Sequence, residues 1–428
     1  MRIIKYNNKN FYQLLQKNLN KRDFNVDKKI EDNVKKIING IQNRGDEALI
    51  NYTKKFDKIV FNKNKIKINY KLLKNNNFQV DKKILNSFKK AIKNITRFHK
   101  KQLPVDISQN DKNISLKSRW RPIDSVGLYV PGGNAFYPSS LIMNVIPAKI
   151  AGVKRIVCVT PPTKNINPYF LTLLKELKID EVYNIGGAQA IAALAIGTST
   201  IKPVNKIFGP GNSYVAEAKR QLFGKVGIDL IAGPSEIIVV ANKNNNPKWV
   251  AADLMAQAEH DINAQSILIT DNLKFSTLVN NEINILCDQI KNKKIINSSI
   301  KNNGIIILVK NINDCHEIIN FIAPEHLHIH INSYNNMLKK INNAGGIFLG
   351  EYSAEAFGDY IVGTNHILPT SGSAKFSSGL GVLDFMKRNS IVEMNHKSFN
   401  DLMLDTENMA DIEGLEAHKL SVRIRQKK

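Results

Sequence analysis

The sequence predicts an α/β fold: two Rossmann-like parallel-sheet domains, preceded by a helical segment and followed by a helical arm. Three observations carry that prediction. Between residues 125 and 350, short continuous runs rich in Val and Ile end in Gly or Pro turns and give way to helical stretches. That is the pattern of strands buried on both faces and joined by crossover helices. The chain also has the means, since 428 residues with 43% hydrophobic content can bury more than one core. No internal repeat of fixed period competes with this reading.

Residues 1–124 read as mainly helical. Their clearest element starts at Arg44-Gly45-Asp46-Glu47-Ala48 and runs on through Leu49, Ile50 and Tyr52, an amphipathic helix with acid in its first turn. The first sheet domain spans 125–235. Its strands are expected at 125–130, 155–160, 181–185 and 206–208, closed by Pro131-Gly132-Gly133, Pro161-Pro162, Gly186-Gly187 and Gly209-Pro210-Gly211. Helices beginning AQAIAALAIG and SYVAEAKRQLFG follow the last two turns. The second domain, 236–372, has strands at 236–241, 266–270, 304–309 and 346–349. Between the first two, Asn246 caps a helix near 247–259 that has Pro247 at its first position. Residues 373–428 read as helical again and end in a basic tail.

Composition narrows the function classes. Lys and Arg number 61 against 37 Asp and Glu, a net charge of +24, enough to raise nucleic acid or an acidic membrane surface as partners. The lysines are spread from Lys5 to Lys428 beside Asn and Ile, as in NKNKIKINYKLLKNNN (62–77), with no RNP-like aromatic motif among them. They are read as solvated faces, and no specific nucleic-acid partner is expected. No apolar run reaches the roughly 18 residues of a spanning helix, and MRIIKYNNKN lacks the apolar core of a secretory leader. Cys158, Cys287 and Cys315 form no CxxC pair, which argues against a disulfide framework or a thiolate zinc site. A cytoplasmic protein with no membrane contact is the expectation.

Nucleotide binding has little local support, because no GxGxxG follows a strand and no GxxxxGK[ST] occurs. The turns at Gly186-Gly187 and Gly209-Pro210-Gly211 either bring backbone amides to an anion at a helix start or simply reverse the chain. They do fall where parallel sheets bind ligands, at strand carboxyl ends. The histidines say more: His260, His326, His328, His330, His366 and His418 all lie in the second half. Gln257 and His260 share a face at a helix end. Glu325-His326 follows Pro324, while Gly358-Asp359-Tyr360 and Gly363-Thr364-Asn365-His366 lie in a glycine-rich loop, and Glu413 and His418 come near the C-terminus. A lone histidine is more often a surface or satisfied core residue. Polar clusters at the ends of several elements point instead to one composite metal or acid–base site, although spacing does not choose its ligands. His326-x-His328-x-His330 sets three imidazoles on one strand face, and an edge strand with its polar face in solvent explains it equally well. Neighbours Cys315 and His316 diverge by about 100° on a helix and are no nucleophile–base pair. Cys158 reads as a small buried hydrophobe.

At these clusters the sequence resembles the histidinol dehydrogenase family. The matching stretches are VGLYVPGGNAFYPSSLIMNVIPAKIAGV (126–153), NIGGAQAIAALAIGT (184–198), KIFGPGNSYVAEAKRQL (206–222) and IDLIAGPSEIIVVA (228–241). DLMAQAEHDINAQ (253–265), NFIAPEHLHI (320–329), FLGEYSAEAFGDYIVGTNHILPTSG (348–372), SSGLGVLDFMKR (377–388) and EGLEAHKLSV (413–422) follow in the family's order. Before residue 120 the resemblance is loose, apart from RGDEAL (44–49).

The resemblance implies oxidation of L-histidinol through L-histidinaldehyde to L-histidine with two NAD+, the last two steps of histidine biosynthesis. It implies one Zn2+ per active site, held by Gln257, His260, Asp359 and His418 to orient the substrate. His326 is then the base that takes the hydroxyl proton, and Glu325 activates water against the aldehyde. Substrate contacts fall on Ser235, Gln257, His260, His326, Asp359, Glu413 and His418. NAD contacts fall on Tyr129, Gln189 and Asn212, at or beside the glycine turns. The family is a homodimer, which makes the C-terminal arm a dimerisation arm that donates Glu413 and His418 across the interface. Those two stand about 140° apart on an ideal helix and need not share a face. Asn263 and Ala354 stand where relatives carry proline. His328 and His330 belong to no metal set of the family and are expected to face solvent. Two other readings compete: a zinc hydrolase using His260, Asp359 and a metal-bound water, and a nucleic-acid-binding protein with salt-dependent affinity.

Overall fold

Branched aliphatic runs build two parallel sheets, and helices cover both faces of each. The computed structural model describes the chain except residues 8, 21–26, 61, 70–79, 112, 133–136, 164–165, 232 and 427–428. Gly133 of the first expected turn lies outside the described residues. The five-stranded sheet runs Glu181–Asn184, Arg155–Thr160, Ser125–Tyr129, Lys206–Phe208, Gly227–Ile228, all parallel. Side chains alternate between its faces. Val126, Leu128, Ile156 and Cys158 pack on the helices Lys82–His99, Pro138–Ala151 and Pro168–Glu176. Tyr129, Val157 and Val159 pack on Lys28–Arg44, Asp46–Asp57, Gly187–Ile196 and Ser213–Leu222.

The six-stranded sheet runs Arg2–Lys5, Ile305–Leu308, Gln265–Thr270, Glu236–Val240, His326–Ile329, Gly346–Leu349, again all parallel. One face meets Phe11–Leu19 and His316–Ile322. The other meets Pro247–Ala258, Leu273–Cys287 and Lys293–Asn303. As read from sequence, Asn246 caps the first of these three, its side chain accepting from Lys248 N at 2.9 Å. Among the described residues no helix is long and apolar enough to cross a membrane.

Three expectations need correction. The first 124 residues are not only helical: Arg2–Lys5 forms an edge of the second sheet, and Ile107–Asp111 pairs antiparallel with Ile114–Pro122. The C-terminal arm contains a strand, Met386–Met394, which pairs with Ile114–Pro122 along nine residues before the helices His396–Ile412 and Glu416–Arg423 begin. These strands are mostly exposed, so no buried apolar run announces them. Finally, His326–Ile329 is no edge strand. It lies between Glu236–Val240 and Gly346–Leu349, and His328 and His330, expected in solvent, are 0% exposed. Their polar alternation mimics a half-exposed strand because buried polar partners, not water, face it.

Besides their apolar packing, the N-terminal helices are tied to the first domain by a buried carboxylate. Gly45 (φ +49) breaks the chain between two helices, and Asp46 then accepts from Ser199 Oγ and Thr200 Oγ1, both at 2.6 Å, with Lys63 Nζ at 3.2 Å. Burial alone would raise the Asp46 carboxyl, but the hydroxyl and lysine donors outweigh it and hold it well below the usual range. Stability from a lowered folded pKa is in place above the unfolded value, about 3.9, and is lost as pH falls toward the folded one. Asp46→Asn is therefore expected to cost about 1–3 kcal/mol near neutrality. Urea unfolding should show its gap from the parent narrowing as pH drops to about 3.

Candidate active site

A cavity of about 1060 Å³ lies between the two sheets, and Asn212, Ser235, Gln257, His260, Glu325, His326 and Asp359 line it. The sheets meet it with opposite polarity. The first offers strand carboxyl ends, as expected, with Gly209-Pro210-Gly211 following Lys206–Phe208. The second offers amino ends: Ser235 directly precedes Glu236–Val240, and Glu325 directly precedes His326–Ile329.

His326 is the centre of the polar cluster. Its Nδ1 stands 2.7 Å from Gln257 Nε2 and 3.2 Å from the Glu236 carbonyl oxygen. Its Nε2 stands 3.5 Å from Asp359 Oδ1 and makes no hydrogen bond among the described residues. Glu325 Oε2 accepts from Glu236 N at 2.9 Å and lies 3.6 Å from His326 Nδ1. Gln257, 1% exposed, is also 3.4 Å from Glu355 Oε2 through Nε2. Burial alone would push the His326 imidazole down, yet the charge of Glu325, the contacts with Asp359 and Glu325 and the charge of Glu355 hold it well above its usual range. Burial raises Glu355 to about 8, with Asp359, Asp253 and Glu325 adding to the rise against His326. Asp359 moves the other way: burial would raise it, but His326 and the charges of His366 and His260 keep it low.

Across the cavity the glycine turn is held by a buried ion pair. Gly209 has φ +109, and a Cβ there would lie 2.1 Å from the Tyr129 carbonyl oxygen, so no other residue fits. Gly209 N donates to Asp229 Oδ2 at 2.8 Å, Lys219 Nζ donates to Gly209 O at 3.1 Å, and Lys219 pairs with Asp229. Asn212 caps the helix Ser213–Leu222, accepting from Tyr214 N at 3.1 Å and Val215 N at 3.2 Å. The other two expected NAD contacts are buried and do not line the cavity. Tyr129 OH accepts from Gly187 N at 3.2 Å, and Gln189 Nε2 donates to Asp57 Oδ2 at 3.4 Å.

Glu413 and His418 stay apart from the rest. Glu413 ends the helix His396–Ile412, His418 sits in Glu416–Arg423, and both are exposed and outside the cavity of their own chain. Sequence reading did not single out Glu355 or the Lys219–Asp229 pair. Glu355 stands four residues before Asp359 on the helix Glu355–Tyr360, a same-face spacing that was there to be used. His366, noted only within its loop, lines the cavity with Nδ1 2.9 Å from the Asp359 carbonyl oxygen and Nε2 3.5 Å from Ser140 Oγ.

Comparison with known proteins gives these contacts a family context. The histidinol dehydrogenase family profile matches residues 20–426. The histidinol dehydrogenase of Rhodospirillum rubrum is 47% identical over 399 residues, covering 92% of each chain. That of Agrobacterium fabrum is 46% identical over 402 residues, 94% of this chain and 93% of the relative. A crystal structure of the histidinol dehydrogenase from Elizabethkingia anophelis superposes with a TM-score of 0.92 at 35% identity, covering 99% of this chain and 98% of that one.

Removing one partner of a buried pair strands the other's charge. Lys219→Met is expected to lower the unfolding free energy by roughly 3–5 kcal/mol, measured by denaturant titration. The double variant Lys219→Met/Asp229→Leu should lose less than the single one. A double variant that loses more would show that the pair does not carry the turn.

Proposed function

Because the chain belongs to the histidinol dehydrogenase family, we propose that the cleft between its sheets carries both oxidations that complete histidine biosynthesis. The family is one of NAD-dependent oxidoreductases acting on histidinol, and the zinc-hydrolase alternative is not supported. The observation that carries the site assignment is the convergence of Glu325, His326, Gln257, His260 and Asp359 on one cavity, opposite the turn at Gly209.

Gln257, His260 and Asp359 suit a zinc ion by the chemistry of their donors, an amide oxygen, an imidazole and a carboxylate. No hydrogen bond engages Gln257 Oε1 among the described residues, whereas its Nε2 is held by His326 and Glu355. The fourth ligand would be His418 of a second copy, and Glu413 would arrive with it. Leu404, Met409, Ile412, Leu420 and Ile424 leave the arm with exposed apolar side chains, which supports burial against such a copy. When bound, the ion supplies Lewis-acid polarisation and fixes the alcohol for hydride transfer.

The chain's own residues move the protons. His326 Nε2 takes the hydroxyl proton as hydride leaves the alcohol carbon for NAD+, giving the aldehyde. Glu325 then takes a proton from water as the water oxygen bonds to the aldehyde carbon. The hydrate gives up its hydride to a second NAD+ and leaves as a carboxylate. One alcohol and one water thus yield one carboxylate, two NADH and three protons. Ser235 lines the cavity as a substrate contact, and Asn212, Tyr129 and Gln189 support the NAD side.

Two contacts at His326 Nδ1 select opposite tautomers. A donating Gln257 amide would leave the ring proton on Nε2. The Glu236 carbonyl, which can only accept, keeps it on Nδ1 and leaves Nε2 basic. Drawing Gln257 away toward a metal favours the second arrangement.

NADH yield per L-histidinol, with a chelator and then with zinc added back, tests the reading. Two NADH per histidine, lost on chelation and restored by zinc, is the expected result. Glu325→Gln should keep the first oxidation and slow the second by about 10²–10⁴-fold, so that the yield falls to one NADH with free aldehyde. No NADH from folded, zinc-loaded protein would overturn the assignment.

A further inference from the structure

Behind the cleft wall, outside the residues given roles above, Asp253, His328 and His330 form a buried cluster. We propose that this cluster is a second metal site, binding a divalent transition ion of the zinc class in a structural role. Asp253 lies on the helix Pro247–Ala258, one turn before Gln257. His328 lies on the strand His326–Ile329 and His330 just beyond it. Both imidazoles are 0% exposed and Asp253 is 9% exposed.

The ligand atoms converge. Asp253 Oδ2 is 2.7 Å from His330 Nε2 and 3.1 Å from His328 Nδ1, and one donor atom from each residue lies within 4.8 Å of the others. Atoms bound at about 2.0–2.2 Å to a tetrahedral zinc stand on the order of 3.3 Å apart, so small adjustments admit an ion. Two imidazole nitrogens and one carboxylate oxygen suit zinc and its transition-metal neighbours, not the all-oxygen shells of calcium or magnesium.

The tautomer of His328 carries the inference furthest. Its Nε2 is 2.9 Å from the Gly350 carbonyl oxygen. A carbonyl only accepts, so Nε2 carries a proton, and the neutral ring then keeps its lone pair on Nδ1. That lone pair faces a carboxylate oxygen at 3.1 Å with no aligned hydrogen bond between them. Two lone pairs opposed in a buried site repel unless a cation lies between them. Donation of the second ring N–H to a backbone carbonyl is also how metal-bound imidazoles are oriented. An ion here would clamp the helix that carries Gln257 to the strand that carries His326.

The test counts zinc on the full-length protein, loaded with zinc and freed of excess. Two ions per chain are expected for the parent, and one each for His260→Ala, which removes the cleft ion, and for His330→Gln, which removes the proposed one. Should His330→Gln fail to fold, His328→Gln serves in its place. On the His260→Ala background, zinc should raise Tm by at least about 3 °C and a chelator should reverse it. A parent holding one ion per chain that His260→Ala abolishes would overturn the proposal and assign a proton to the gap. So would a His260→Ala melting curve that zinc does not move. Because that background lacks the cleft ion, failure here leaves the catalytic reading standing.

Discussion

A strand buried on both faces in the middle of a sheet, carrying three imidazoles on one of those faces, sets the terms for its surroundings. His328 and His330 are fully buried and His326 nearly so at the cavity wall, and an unpartnered polar group in such a place costs on the order of 1–3 kcal/mol. The helix Pro247–Ala258 answers this constraint. It lays Gln257 against His326 and, one turn earlier, Asp253 against His328 and His330. The apolar side chains of that helix, Val250, Leu254 and Met255 among them, bury it on the same sheet. The geometry of the polar cluster and core packing are therefore one structure: moving the helix to relieve one contact would break the others.

The opposed polarity of the two sheets divides the labour. The carboxyl ends of the first sheet deliver backbone turns, where small residues let the chain approach a ligand closely, and the Lys219–Asp229 pair fixes one of them. The amino ends of the second deliver side chains and backbone N–H groups, such as the one from Glu236 that holds the Glu325 carboxylate. A wall made largely of backbone turns and a wall of titratable side chains face each other across one cavity, which suits the proposed division between cofactor and chemistry.

What could be read from sequence follows from the same physics. Runs such as RIVCVT and EIIVV announce themselves because strands buried on both faces must be apolar throughout. Met386–Met394 and Ile107–Asp111 do not, since they bury almost nothing. HLHI was misleading: alternation ordinarily marks a half-exposed strand, and only a partner distant in sequence, Asp253, shows that the polar face is interior. At the site, the clusters around Gln257, Glu325 and Asp359 were visible as polar residues at element ends, and resemblance to a family supplied their roles. Glu355 and Asp253 were not visible, because a carboxylate on a helix looks the same whether it meets water or an imidazole until the fold is known.

The arm completes this logic. One chain brings an amide, an imidazole and a carboxylate to the cavity, while its own His418 and Glu413 sit exposed outside it, among exposed apolar side chains of the arm. On the proposed reading a second copy supplies the missing imidazole, so burying the arm and finishing the active site are the same event. Such coupling has a physical consequence. Within one chain burial would lower the His326 imidazole, but the charge of Glu325 and the contact with Asp359 outweigh it and hold the ring above its usual range. On the same reading, a cation completed by that last imidazole would offset the negative charge around His326.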